Sequence, residues 1–232
     1  MLVFGSFRRM NTLRKIITTM LLALPLASPL AAQDLASICK GVGELRIGQW
    51  VEFQADAPIV KTLNGRIAIV GEKTVDGSRH FWLELNIVNP VGNTIMQLLI
   101  PSYPYPAEAV SGMIMQLAPD LVMEYPKEMA SSMSGQQRDN LSTPTFQACN
   151  ESETVGVETI TVPAGTFETV RVKTRLGGGE TDIWISAAVP FGVVKFADTN
   201  GDGLKLMAYG MDAKSSVTGT PMKFGQPPNQ QN

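Results

Sequence analysis

Little in this chain is suited to covalent chemistry. One histidine is present, His80, and no Gly-x-Ser-x-Gly elbow accompanies it. A Ser-His-Asp arrangement therefore has one candidate base and no recognisable nucleophile. Ser37 and Lys40 stand at the Ser-x-x-Lys spacing of penicillin-recognising enzymes, but the companion Lys-Thr-Gly is missing. No run of Lys and Arg occurs, which argues against nucleic acid and against an anionic lipid surface as partner. Beyond residue 32 no segment is apolar for the about 20 residues that a membrane-spanning helix needs. Cysteine is reduced to Cys39 and Cys149. Neither suits a lipid anchor, because Leu35-Ala36-Ser37-Ile38-Cys39 has Ile where a small residue is required and lies far from the apolar N-terminal segment.

That N-terminal segment is the clearest signal present. Arg8, Arg9, Arg14 and Lys15 precede the short apolar run Ile16 to Leu26, which Pro25 interrupts, and Ser28 to Ala32 ends in small residues. This is the pattern of a secretory signal, with cleavage expected after Ala32 and a periplasmic or extracellular address. Met10 begins an equally complete signal, so either Met1 or Met10 serves as the start. Without the segment, 15 Lys and Arg face 21 Asp and Glu, a net charge of −6. In an oxidising compartment Cys39 and Cys149 most simply form one disulfide; the alternative is two unpaired thiols.

The remaining residues read mostly as strands. Trp50 to Phe53 and Arg66 to Val70 are β-rich, and Asp76-Gly77 is a hairpin signal. Phe81, Leu83, Leu85 and Ile87 alternate with His80, Trp82, Glu84 and Asn86, the period of a half-buried strand. Thr94 to Ile100 is more uniformly apolar. After the stiff Pro101 to Pro106 link, Ala109, Val110, Met113, Ile114 and Leu117 recur at helical spacing and predict a helix over 107–117. Leu121 to Tyr125 suits a strand, 126–137 a short helix and 138–150 a loop. Strands return at 155–162, 166–175, 183–186, 193–196 and 204–209 around short turns. One domain is expected over 33–212, and from 213 the composition of Ser, Thr, Gly, Pro, Gln and Asn reads as a tail without fixed structure.

Three stretches belong together: Thr161-Val162-Pro163-Ala164-Gly165-Thr166-Phe167, Asp182-Ile183-Trp184-Ile185-Ser186, and Val189-Pro190-Phe191-Gly192-Val193-Val194-Lys195. As a set they resemble bacterial envelope proteins related to the periplasmic lipoprotein carriers of the Lol system, mainly over residues 154–210. The resemblance implies a mainly β (α+β) fold, a curved antiparallel half-barrel with helices on its hollow side and a helical insertion near 107–135. It implies lipoprotein or acyl-chain carriage by analogy only.

Other features admit two readings each. Asp198-x-Asn200-x-Asp202-Gly203 copies the opening of a calcium loop, yet Tyr209 stands where the bidentate Glu belongs, so a polar turn is the simpler reading. Arg171, Lys173 and Arg175 share a strand face that neighbouring acids would neutralise. Met96, Met113, Met115, Met123, Met129 and Met133 are half of the 12 methionines. Thioethers suit cuprous copper, but no His or Cys accompanies them. They equally suit a core, or a surface that adapts to apolar shapes. Trp82 and Trp184 lie among polar neighbours. The reading adopted is a non-enzymatic carrier for an acyl chain, lipoprotein or other apolar ligand, lined by Trp82, Met96, Leu98, Met113, Met115, Leu117, Met123 and Trp184. No metal, cofactor or nucleic acid is expected. A partner-binding envelope module with a packed core is the alternative, and an unrecognised hydrolase a third.

Overall fold

The computed structural model describes residues 34–56, 64–89, 92–136, 143–176, 178–201 and 203–225. The expected signal segment, Asp202 and residues 226–232 lie outside them. The described strands are β1 (Trp50–Asp56), β2 (Asn64–Val75), β3 (Ser78–Asn89), β4 (Gly92–Ile100), β5 (Gly112–Ala118), β6 (Leu121–Tyr125), β7 (Glu153–Val162), β8 (Gly165–Leu176), β9 (Gly179–Ile185), β10 (Val193–Asp198), β11 (Gly203–Gly210) and the two-residue β12 (Met222–Lys223). They form one sheet in the order β12-β6-β5-β4-β3-β2-β1-β11-β10-β9-β8-β7. All neighbours are antiparallel except β12 and β6. The sheet is mixed, open and curved, and does not close into a barrel.

Local chemistry explains the connectivity. β2 and β3 are joined by Asp76 and Gly77 at φ 50° and 76°, and a two-residue hairpin of right-handed strands needs positive φ at both positions. β7 and β8 turn through Pro163 and Ala164. Two meanders result, β1 to β6 and β7 to β11, and β1 against β11 is the seam between them. One face, here the inner face, carries Ile69, Leu83, Leu98, Val172, Ile183 and Leu206 in a continuous buried cluster, with residues of all three helices packed into it.

Those helices are α1 (Leu35–Val42), α2 (Lys127–Gln136) and α3 (Thr143–Asn150). The Asp34 carboxylate caps α1 by accepting the Ser37 amide at 2.7 Å and the Ser37 hydroxyl at 3.0 Å. The amide bond holds the Asp34 carboxyl below its ordinary range. The Ser37–Lys40 spacing is thus part of a helix cap and first turns. α3 occupies the end of the stretch expected as loop, tied down by its packing rather than by a periodic pattern.

Two further expectations fail. The stretch expected as a helix over 107–117 is instead a 3-10 turn at Ala107–Ala109 followed by β5. β5 is apolar on both faces, so its residues mimic a helical period, an ambiguity inherent in short apolar runs. Both faces are apolar because both are covered. The cover on the outer face is the segment from Met211 to Gly225, which from 213 onward was expected to be a structureless tail. Trp50 Nε1 donates to Asp212 at 2.8 Å, and the Ala213 amide to the Gly48 carbonyl at 2.9 Å. Gln116 then exchanges two bonds of 3.0 Å with Thr218, and the segment ends as β12. Polar side chains on the sheet supply the partners that composition alone does not reveal.

Candidate functional site

Cross-strand partners share a face of the sheet, and the register brings five of the expected ligand-binding residues together. Leu98 stands opposite Met113, and Met113 opposite Tyr125. One pair along, Leu85 faces Met96, Met96 faces Met115, Met115 faces Met123, and Met123 faces Met222. Four methionines on β4, β5, β6 and β12 therefore form one row across the inner face. Met222 was not foreseen because it lies in the presumed tail.

Burial divides this surface. Leu98 and Met113 are 3 % and 1 % exposed and belong to the sealed core. Met96 is buried at 7 %, whereas Met115 and Met123 are half-buried. Beyond them Leu117 and Leu121 are 51 % and 39 % exposed. Over this region lies α2, whose Ala130 is fully buried in the core cluster while Met133 packs against it. The apolar floor is thus closed at Leu98 and Met113, half-buried at Met115 and Met123, and open at Leu117 and Leu121.

The centre of the hollow is filled. Tyr103 is buried, sets its ring 5.0 Å from that of Phe191 and bonds Thr145 at 3.2 Å. Thr145 donates to the Phe191 carbonyl at 3.0 Å, so the Tyr103 hydroxyl is the donor to Thr145. Ile38 of α1 and Ala148 of α3 are fully buried nearby, and Cys39 is bridged to Cys149. The void left among Phe53, Ile67, Tyr103, Phe191 and Phe196 is about 20 Å³, room for about one water. No acyl chain fits there. A half-open pocket of about 300 Å³ lies between the end of α1 and the turn before β10, lined by Val42, Arg46, Gln49, Val189 and Met211.

Burial also drives the Tyr103 hydroxyl well above the ordinary phenol range. A folded-state pKa raised in this way contributes stability that is fully present below the unfolded phenol value of about 10 and lost at higher pH. Denaturation from pH 8 to 11 should show a decline above about pH 10 that Tyr103→Phe removes. At neutral pH that variant should cost about 1 kcal/mol for the lost hydrogen bond. An unchanged alkaline slope in Tyr103→Phe would assign the decline to other groups.

Trp82 and Trp184 lie on the outer face, away from the methionine row. The Trp82 indole lies over the sheet between Gly71 of β2 and Gly112 of β5, reaching across β4. Trp184 lies beneath the Arg171 guanidinium and the Lys195 ammonium, 5.2 and 5.0 Å from its ring centroid, and donates to Glu158. Arg171 also forms a fork with Asp182 at 2.7 and 3.1 Å, and this bonding raises its pKa. These contacts make Trp184 part of a structural network, and they match the expectation that the Arg171 face is neutralised by neighbouring acids. Asp198 accepts the Asn200 amide at 2.8 Å in the turn after β10, as a polar turn requires. His80 is 8 % exposed, with its Nδ1 3.2 Å from the Ser78 carbonyl oxygen. Among the described residues no group of three His, Cys, Asp or Glu is placed to hold a metal ion, and no helix is long and apolar enough to cross a membrane.

The architecture defines an α+β protein with one large open, curved sheet and helices on its inner face. No family model and no curated protein matches the chain. Among solved structures, it is similar to a protein described as a lipoprotein from Parabacteroides distasonis, at 15% identity and a TM-score of 0.37 over 73% of this chain and 98% of that one. LprF from Mycobacterium bovis is 14% identical with a TM-score of 0.35, over 82% of this chain and 96% of that one. An exported protein of YmcC-like fold from Bacteroides fragilis is 12% identical with a TM-score of 0.34, over 71% of this chain and 96% of that one.

Proposed function

We propose that this chain is a secreted, non-enzymatic carrier for an acyl chain or similar apolar ligand. The ligand lies along the open end of the inner face, over Met115, Met123, Leu117 and Leu121. The observation that carries the reading is the row Met96–Met115–Met123–Met222, buried at Met96 and half-buried at the other three, next to the exposed Leu117 and Leu121. Unbranched thioether side chains adapt to irregular apolar shapes. Apolar surface leaving water there contributes about 25 cal/mol per Å². Movement of α2, which packs against β5 beside the row, is the route for entry and release. A periplasmic address follows from the N-terminal pattern of charges, apolar run and small residues.

Native mass spectrometry of the protein purified from a bacterial periplasm, with organic extraction of bound material, tests the reading. Lipid or an acylated molecule should co-purify, and Met115→Asp with Met123→Asp should abolish the bound species while circular dichroism is retained. A mass of the protein alone, unchanged after incubation with envelope lipids, would overturn the carrier reading. The partner-binding module would then take its place, which the filled centre around Tyr103 and Phe191 favours.

A further inference from the structure

The same row of methionines has a property that apolarity does not exhaust. We propose that Met96, Met115 and Met123 form a thioether site for one soft monovalent cation, cuprous or silver. The three residues occupy three adjacent strands at one level of the sheet. Neighbouring strands are about 4.8 Å apart. Metal–sulfur bonds of about 2.3 Å, as zinc–thiolate bonds have, set sulfurs around one ion about 4 Å from each other. The three torsions of each methionine side chain accommodate the difference. The sulfurs of Met96 and Met123, on the two strands flanking β5, thus reach a common point with that of Met115 above β5, whereas Met222, two strands from β5 at about 10 Å, lies beyond reach.

The surroundings select the kind of ion. The inner face at this level is apolar, with Leu85 beside Met96 in the row and Met133 of α2 packed against the core cluster. No carboxylate or imidazole cluster competes among the described residues. Hard divalent ions need oxygen ligands and compensating charge, which this face lacks. Thioethers are neutral and polarisable, and favour a soft ion of single charge. Both cysteines are in the disulfide and no cysteine is free, so no thiolate offers a stronger soft-ligand site elsewhere.

The site is independent of the carrier reading, although it uses the same residues. Acyl binding depends on apolar surface, and ion binding on sulfur. The double variant Met115→Leu with Met123→Leu separates them, because leucine keeps volume and apolarity while removing the thioethers. Native mass spectrometry with silver nitrate, and separately with a cuprous acetonitrile complex, should show one ion per parent chain. That ion should be lost in the double leucine variant and retained in Met211→Leu, a control at a residue 52 % exposed and outside the row. Acyl binding should survive the double leucine variant. Methyl-labelled methionine provides a second readout that needs no variant. The ε-methyl resonances of Met96, Met115 and Met123 should shift with silver while that of Met211 stays. Absence of a bound ion in the parent, undiminished binding in the double leucine variant, or resonance shifts confined to other methionines would overturn the site.

Discussion

Removing the disulfide, by Cys39→Ser with Cys149→Ser or by reduction, should lower the unfolding free energy by roughly 5 kcal/mol. The bridge closes a loop of 110 residues, and the chain-entropy relation gives about that value for such a length. The magnitude matters because domains of this size have only about 5–15 kcal/mol in total. The bridge also joins two helices that have little intrinsic reason to persist. α1 and α3 each span 8 residues, below the length at which an isolated helix is stable in water. Ile38 and Ala148, the buried residues adjacent to the two cysteines, close the centre of the hollow. Urea denaturation with and without reductant measures the loss. A difference below about 1 kcal/mol, far short of the entropic estimate, would mean that helix packing alone holds the closure.

Glu84→Ala should be the next most damaging change, at about 3 kcal/mol, because it strands several donors at once. Glu84 is 1 % exposed on the outer face. Its carboxylate accepts the Ser216 amide at 2.9 and 3.1 Å, Gln97 Nε2 at 2.8 Å and the Ser215 hydroxyl at 3.2 Å. Gln97 Nε2 also donates to Ser215 at 2.7 Å, so both Gln97 amide protons and the Ser215 hydroxyl proton are used within the network. A buried carboxylate is tolerated where charge-assisted hydrogen bonds replace water. Trypsin should then cleave the variant after Lys214 and Lys223 far faster than the parent, since the covering segment loses its central attachment. Glu84→Gln should fall between the two, keeping the shape but turning an amide donor toward other donors. Equal cleavage of variant and parent would show that Asp212 and Gln116 suffice to hold the segment.

Much of the sheet was legible because its turns announce themselves. Asp76-Gly77 and Pro163-Ala164-Gly165 fix hairpins, and the alternation around Leu83 and Leu85 marks one apolar face, though not which side of the sheet is hollow. The methionines were legible as a group but not as a row, because their alignment depends on a register that only paired strands define. Assigning β5 to a helix followed from the same cause: a strand covered on both sides loses its period of two. The covering segment was hidden because its partners Glu84, Gln97 and Gln116 read as solvent-facing polar residues. Ile95, Leu99 and Trp82 on that same face were the available hint. Trp82 and Trp184 were grouped with the methionines although strand parity puts them on the opposite side, as Leu83 and Ile183 in the core show.

The seam between the two meanders sets an order of events for the folding chain. Trp50 and Asp212 bond across 162 residues of sequence, whereas β2, the other neighbour of β1, follows immediately. Until the final long strand has formed, β1 therefore presents an unpaired backbone edge while β2 to β6 assemble by local hairpins. A high contact order of this kind slows closure, and an open edge invites pairing with other chains. The interval between forming the first meander and receiving β11 is thus when this protein is most exposed to aggregation.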